Sequence, residues 1–320
     1  GIKALADVAG MSEAPGAYHA GFVLGPRVNA GGRVGRSDLG TRLLATDDPV
    51  EAGKLAAELD KHNAERKAIE AGVLEAAQAM VGEEDPGPVV IVAGRDWHPG
   101  VIGIVAARLK EQWRRPAIVI ALNDGVGKGS ARSVRGVDMG AAVIAARQAG
   151  LLDNGGGHPM AAGLTVAEDQ LEALRTFLAD HIGPQVAQID SAHDLTLDGV
   201  VTSGAANMEF LTNLERAGPF GSGNPEPRFA ITSAQIVRPS IVGHGHVRMI
   251  LGGGRGSGAS GLTAIAFRAA DGPLGELLLS SRGVPVHVAG NLRANHWQGT
   301  TKPQLIVHDG ALAVAGAGDE

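Results

Sequence analysis

The sequence contains no cysteine among its 320 residues, which excludes disulfide frameworks and thiolate metal sites. Aromatic residues make up only 3%, with one tyrosine and three tryptophans, so any platform of rings for stacking bases must be thin. No stretch reaches the roughly 18 uninterrupted apolar residues of a membrane span. The opening "GIKALADVAGMSEAPGAYHAG" lacks the basic-then-apolar layout of a signal peptide. A cytoplasmic protein without membrane contact is expected. The first residue is Gly rather than Met and the chain enters mid-pattern, which reads as a piece of a longer protein.

Basic charge is also in deficit, with a net charge of −6, and taken whole this argues against a polyanionic partner. The distribution says otherwise. From Asp47 to Asp85 eleven Asp and Glu stand against four Lys and Arg, whereas from Val89 to Arg135 eight Lys and Arg stand against three acids. Arg27, Arg33 and Arg36 fall between Ala14 and Ser37 with no acid beside them. A local basic patch, not the total, is the footprint of a polyanion site.

What is present supports roughly two domains, an α/β part and a β part. Residues 1–46 read as short helices and a glycine-rich loop, "LGPRVNAGGRVGR", with no core of their own. Asp48 as N-cap and Pro49 at the first helical position open a long connecting helix over 47–84, whose mixed charges suit a solvated span between domains. Asp60-Lys61-His62 is read as part of its solvated face. Strand and helix patterns alternate over 85–184, with "VVIVAG", "AIVIAL", "KGSARSV" and "GLTVA" as strands and a boundary near Gly183-Pro184. After it, five or six short strands and one helix, "SGAANMEFLTNLERAG", suit a small barrel of the OB type over 185–320. The run "GGGRGSGASG", 252–261, reads as a hairpin tip.

Three stretches carry candidate chemistry. In "GRDWHPGVIGIVAARL", His98 stands at a helix mouth, where free N–H groups favour an anion. In "GKGSARS", Ser130 and Arg132 are two apart on an extended segment and share a face, suited to gripping one phosphate, with Ser133 adding a hydroxyl. In "NGGGHPMAAG", Gly155, Gly156 and Gly157 bare the backbone next to His158, as a phosphate-binding turn leading into a helix would. Each alone reads equally well as a strand end packed by small residues.

In this order "RDWHPGVIGIVAARL", "GKGSARS" and "GGGHPMAAGLTV" resemble the DHH-associated domain of the RecJ family of single-strand-specific exonucleases. The upstream "LGPRVNAGGRVGRSD" resembles the end of that family's catalytic domain, and "AGPFGSGNPEPRF", 217–229, the entry to its OB-fold domain. The resemblance covers nearly the whole chain. It implies 5′-to-3′ hydrolysis of single-stranded DNA by two-metal catalysis, in DNA repair and recombination. It also implies that Ser130 and Arg132 grip the terminal 5′-phosphate, that Arg27 approaches the same end, and that His158 faces the scissile nucleotide as a catalytic residue. Arg228 and Arg248, with Arg216, Arg238 and Arg255, would guide the strand on the barrel; Phe220, Phe229, Phe267 and Trp297 are the candidate stackers, with most of the phenylalanines expected in the core.

No Asp-His-His motif occurs, so no metal ligand is assigned here. The Mn2+ or Mg2+ that the family uses is expected in a catalytic domain outside these residues, and this chain alone is expected to bind and not to cut. His244 and His246 are read as strand residues among nucleic-acid contacts. Single-stranded DNA is the expected partner of a monomer, with a single-strand-binding protein as a further one. Two other readings stay open: a phosphodiesterase of the same superfamily acting on short oligonucleotides or cyclic dinucleotides, and a non-catalytic nucleic-acid-binding module.

Overall fold

The computed structural model describes residues 1–12, 14–82, 84–189, 195–221, 223–252, 261–297 and 299–313. The chain divides into two units, Gly1–Ala192 and His193–Glu320. The segments 1–46, 47–84 and 85–184, which the sequence pattern separates, therefore join in one unit.

Short helices α1 (Ile2–Val8) and α2 (Ala17–His19) open it. A π-helical turn, Ala20–Leu24, then leads into α3 (Gly25–Val34), and α4 (Leu39–Ala45) follows. The expected glycine-rich loop is thus mostly helix. Pro26 sits in the first turn of α3, where its missing N–H costs nothing. A Cβ on Gly31 would lie 2.7 Å from the Arg36 carbonyl and 3.1 Å from Leu59 Cδ2, so this glycine lets α3 approach its neighbour closely. Packing outweighs propensity here.

Helix α5 (Pro49–Val81) begins as the sequence predicts, with Asp48 Oδ1 accepting from the Val50 N–H at 2.9 Å. It is not a solvated span. Leu55, Ala56 and Leu59 pack with Leu5, Leu39 and Leu43, while Val73 and Ala77 join a second cluster under the sheet. Asp60 and His62 are partly buried rather than solvated, and Asp60 accepts from Arg27 Nε at 2.8 Å.

Beyond α5 come β1 (Val90–Arg95), α6 (Pro99–Trp113), β2 (Ala117–Asn123), β3 (Val126–Arg132), α7 (Met139–Gln148), β4 (Asn154–His158), β5 (Ala161–Ala167) and α8 (Leu171–Gln188). They form a five-stranded sheet of order β1-β2-β3-β5-β4, parallel between β1 and β2 and antiparallel elsewhere. On one side Ile118, Ile120, Ala131 and Leu164 meet Val143 of α7 and Leu178 of α8. On the other, Ala117 and Val119 meet Val101 and Val105 of α6 and Val73 of α5. Helix α8 continues through Pro184 to Gln188, and the compact unit extends to Ala192.

The second unit holds β6 (Gly199–Val200), α9 (Met208–Glu215), β7 (Arg228–Val242), β8 (His246–Gly252), β9 (Leu262–Ala266), α10 (Pro273–Ser280), β10 (Val286–Trp297) and β11 (Thr300–Leu312). The order is β10-β11-β9-β8-β7-β6, and β10 pairs again with β7. Five strands, β7 to β11, therefore close into an OB-like barrel, and β6 is added at the end of the order. Val247, Met249 and Leu251 point into its core, as alternation requires. Helix α10 was not foreseen, and β6 has only two residues. Among the described residues no helix is long and apolar enough to cross a membrane.

Candidate functional site

Alternation along β3 puts Lys128, Ser130 and Arg132 on one side of the sheet and Gly129 and Ala131 on the other. Registry extends this side across two more strands. Arg132 pairs with Ala161 and Ala161 with His158, Ser130 with Gly163 and Gly163 with Gly156, and Lys128 with Thr165 and Thr165 with Asn154. Three rows result, each charged or hydroxylated on β3, with small residues or Thr165 on β5.

A cavity of about 710 Å³ stands over this surface, lined by Lys128, Ser130 and Arg132, by Gly100 and Gly103 of α6, and by Arg33 of α3. No Asp or Glu lines it. Arg132 Nη1 donates to Ser130 Oγ at 3.2 Å and to its neighbour's carbonyl, Ala131 O, at 2.8 Å. Burial, and then the positive charge of Arg33, hold the Arg132 pKa below the ordinary arginine value. Arg33 Nη1 donates to Gly100 O at 3.0 Å and Lys128 Nζ to Thr165 Oγ1 at 3.0 Å. Three cations thus share one cavity with hydroxyl donors and no counter-charge from its walls. Such a lining suits an anion.

The glycine run is strand β4, not a turn leading into a helix. Its two faces differ. A Cβ on Gly155 would stand 2.7 Å from Val143 Cγ1 of α7, and one on Gly140 of α7 would stand 2.9 Å from Gly157 O. A Cβ on Gly156 would meet nothing within 4 Å. Bare backbone lets α7 pack closely on one side and leaves space open on the other. His158 ends the Arg132 row, exposed, about 10 Å from Arg132 across two strand spacings, and is not among the cavity's lining residues.

Other candidates have structural positions. Ser133 is 1% exposed, and its Oγ donates to Val137 O at 2.8 Å, so it belongs to the core face with Ala131 and not to the site. His98 caps α6, its Nδ1 accepting from the Gly100 N–H at 3.0 Å. Arg27 is held by Asp60 and by Val23 O at 2.8 Å and does not line the cavity. Arg33 and Lys128, which do, were missed as site residues. The period of two in "KGSAR" could have found Lys128, whereas Arg33 lay in a segment read as loop.

On the barrel, Arg248, Lys302, Asn295 and exposed Phe267 line a second surface, a cavity of about 640 Å³. Arg228 donates to Thr196 O at 3.4 Å and keeps a buried Nε without an acceptor. Phe229 is core and packs edge-on against Phe210, which removes it as a stacker. His246 accepts from the Arg268 N–H at 3.0 Å and meets Phe267 edge-on. Arg255, most of 252–261 and the Trp297 side chain lie outside the described residues. Among the described residues no group of three or more His, Asp or Glu is placed to hold a metal ion. The described residues therefore do not fit a metal centre.

Two family models match, the DHHA1 domain over residues 86–183 and the RecJ OB domain over 197–309. The chain therefore carries an α/β DHHA1 domain followed by an OB-fold domain. The single-stranded-DNA-specific exonuclease RecJ of Bacillus subtilis is 33% identical over 298 residues, which cover 92% of this chain and 37% of that protein. Its Escherichia coli counterpart is 33% identical over 324 residues, covering 96% of this chain and 54% of that protein. The crystal structure of Thermus thermophilus RecJ in complex with Mn2+ aligns over 98% of this chain and 44% of that one, with a TM-score of 0.80 and 28% identity. The chain belongs to the RecJ family. It spans about half the length, or less, of these curated relatives.

Proposed function

We propose that the side of β3, β5 and β4 facing the cavity holds the 5′-phosphate end of a single DNA strand, in a protein that hydrolyses phosphodiester bonds from that end during DNA repair and recombination. The observation that carries this is the cavity's charge: Arg33, Lys128 and Arg132 with Ser130 and no carboxylate. Arg132 and Ser130 donate to the terminal phosphate oxygens. Gly156 and Gly163, without side chains, leave room for the sugar–phosphate chain to lie on the strands. His158, at the far end of the row, lies toward the next linkage. The relatives' names, single-stranded-DNA-specific exonuclease, support the substrate class. Hydrolysis belongs to Mn2+ or Mg2+ held by ligands outside these residues, so this chain contributes binding and placement. The cationic surface on the barrel supports a strand longer than a dinucleotide. We assign the protein to the cytoplasm as a monomer, with a single-strand-binding protein as a partner.

The test is a set of binding isotherms with 5′-phosphorylated and 5′-hydroxyl single strands. The phosphorylated strand should bind more tightly, and Arg132→Ala should cost about 1.5–3 kcal/mol on it and little on the hydroxyl strand. Equal losses on both would remove the end-recognition role.

A further inference from the structure

A second cavity, of about 630 Å³, adjoins the first through a shared wall residue, Arg33. Its walls carry Arg66, Lys67 and Arg108 in addition, against a single carboxylate, Glu70. Glu70 is already engaged. Its Oε2 accepts from Arg66 Nη1 at 2.5 Å and its Oε1 lies 3.8 Å from Arg108 Nε. Arg66 is only 8% exposed, its Nη2 donates to Asn63 Oδ1 at 3.0 Å, and its buried Nε has no acceptor. The positive charge here is therefore in excess, and part of it is fixed in place.

The rim is aromatic. Phe22 lines the cavity and is 73% exposed, and Tyr18, 59% exposed, stacks on it with ring centroids 5.2 Å apart and planes 26° apart. In a chain with 3% aromatics, two large rings stacked on each other next to four cations form a local exception. Neither belongs to a hydrophobic core cluster of the described residues. A flat π-surface beside excess positive charge matches one nucleotide: base on ring, phosphate on guanidinium and ammonium.

We propose that this second cavity is a nucleotide subsite that takes a further unit of the same single strand, its base stacked on Phe22 and its phosphate held by Lys67, Arg108 and the shared Arg33. The inference rests on the end-binding reading above for the identity of the strand, but not for the subsite's own affinity. Arg33 stands between two successive phosphate positions and serves both. A volume of about 630 Å³ suits a ligand the size of one nucleotide.

The experiment uses 5′-phosphorylated oligonucleotides carrying 2-aminopurine at one of the first five positions. Stacking quenches its fluorescence, so one position should be quenched selectively on binding. Phe22→Ala should abolish that quench and raise Kd by about five- to one-hundredfold, whereas Phe22→Trp should keep both. Lys67→Ala with Arg108→Ala should weaken binding but leave the melting temperature unchanged, since both side chains are at the surface. A 5′-hydroxyl series separates the two sites. If end recognition fails but the Phe22-dependent quench persists, the subsite stands and only the end-binding reading falls. Uniform quenching at all positions, or unchanged binding and fluorescence in Phe22→Ala, would overturn the proposal. So would a Phe22→Ala effect accompanied by a lowered melting temperature and not rescued by Trp.

Discussion

Gly103 of α6 lies so close to Arg132 that a methyl group built on it would stand 2.9 Å from Arg132 Nη2 and 2.9 Å from Ser130 Oγ. The missing side chain of one element makes the room in which the guanidinium of another is held. Gly103→Ala should displace Arg132 from Ser130 and reduce affinity for a 5′-phosphorylated strand. Stability should be level or higher, because Ala favours a helical position by up to about 1 kcal/mol over Gly and the atoms it meets are the ends of side chains that can move. Isotherms beside a melting curve separate the two effects, and unchanged affinity would show that the contact relaxes freely.

Neighbouring glycines of β4 should behave oppositely. Gly157→Ala places a Cβ 2.4 Å from Ala161 O and 2.5 Å from Ala162 Cα, so it should destabilise the unit by about 1–3 kcal/mol. Gly156→Ala meets nothing within 4 Å and should leave the melting temperature within about a degree. Its methyl group intrudes on the open side, so strand affinity should fall instead.

Salt should report the number of phosphates gripped. Arg33, Lys128 and Arg132 provide three contacts in the first unit's cavity, and each contributes a slope of about −0.7 in log K against log salt for a single strand. Lys128→Ala should make the measured slope shallower by about that amount. An unchanged slope would mean that Lys128 stays with Thr165 and touches no phosphate.

The barrel should lose stability in acid through one histidine. Asn291 Nδ2 donates to Glu226 O at 3.0 Å and Pro227 O at 2.8 Å, leaving its Oδ1 to accept from His308 Nε2 at 2.6 Å. Burial, then Arg228 and Arg293, lower the His308 pKa. The folded state thus binds its proton later than the unfolded chain does. This contribution is intact above about pH 6.5 and is lost as pH falls through the unfolded value toward the folded one. Melting curves of His308→Gln between pH 7.5 and 5 should show less pH dependence than the parent. Parallel curves would place the acid sensitivity elsewhere.

Where chemistry and period agreed, the sequence was readable. Asp48-Pro49 announced α5, β-branched runs announced β1 and β2, and the two-residue spacing of Ser130 and Arg132 put both in one cavity. The same spacing placed Ser133 on the core side with Ala131, although its hydroxyl alone suggested a ligand. Helix α3 and strand β4 were hidden because glycine disfavours both helix and strand, and only the close neighbours Leu59 and Val143 make its absence of side chain useful. Arg27 and Arg33 look alike in the sequence. What separates them is Asp60, thirty-three positions from Arg27 along the chain, which claims one guanidinium and leaves the other facing the cavity.

Helix α5 has 33 residues, about 50 Å of continuous backbone. Its first half is gripped by the helices of the N-terminal cluster, its second by the sheet's cluster, and between them Asn63 and Arg66 are buried and polar. Such a shaft has two bearings and a hydrogen-bonded collar. Melting of α1 and α4 frees the helix only as far as the collar, while the second bearing keeps Arg66 and Lys67 in place beside Arg33. Amide exchange along this single helix should therefore fall into two protection classes, meeting near Asn63.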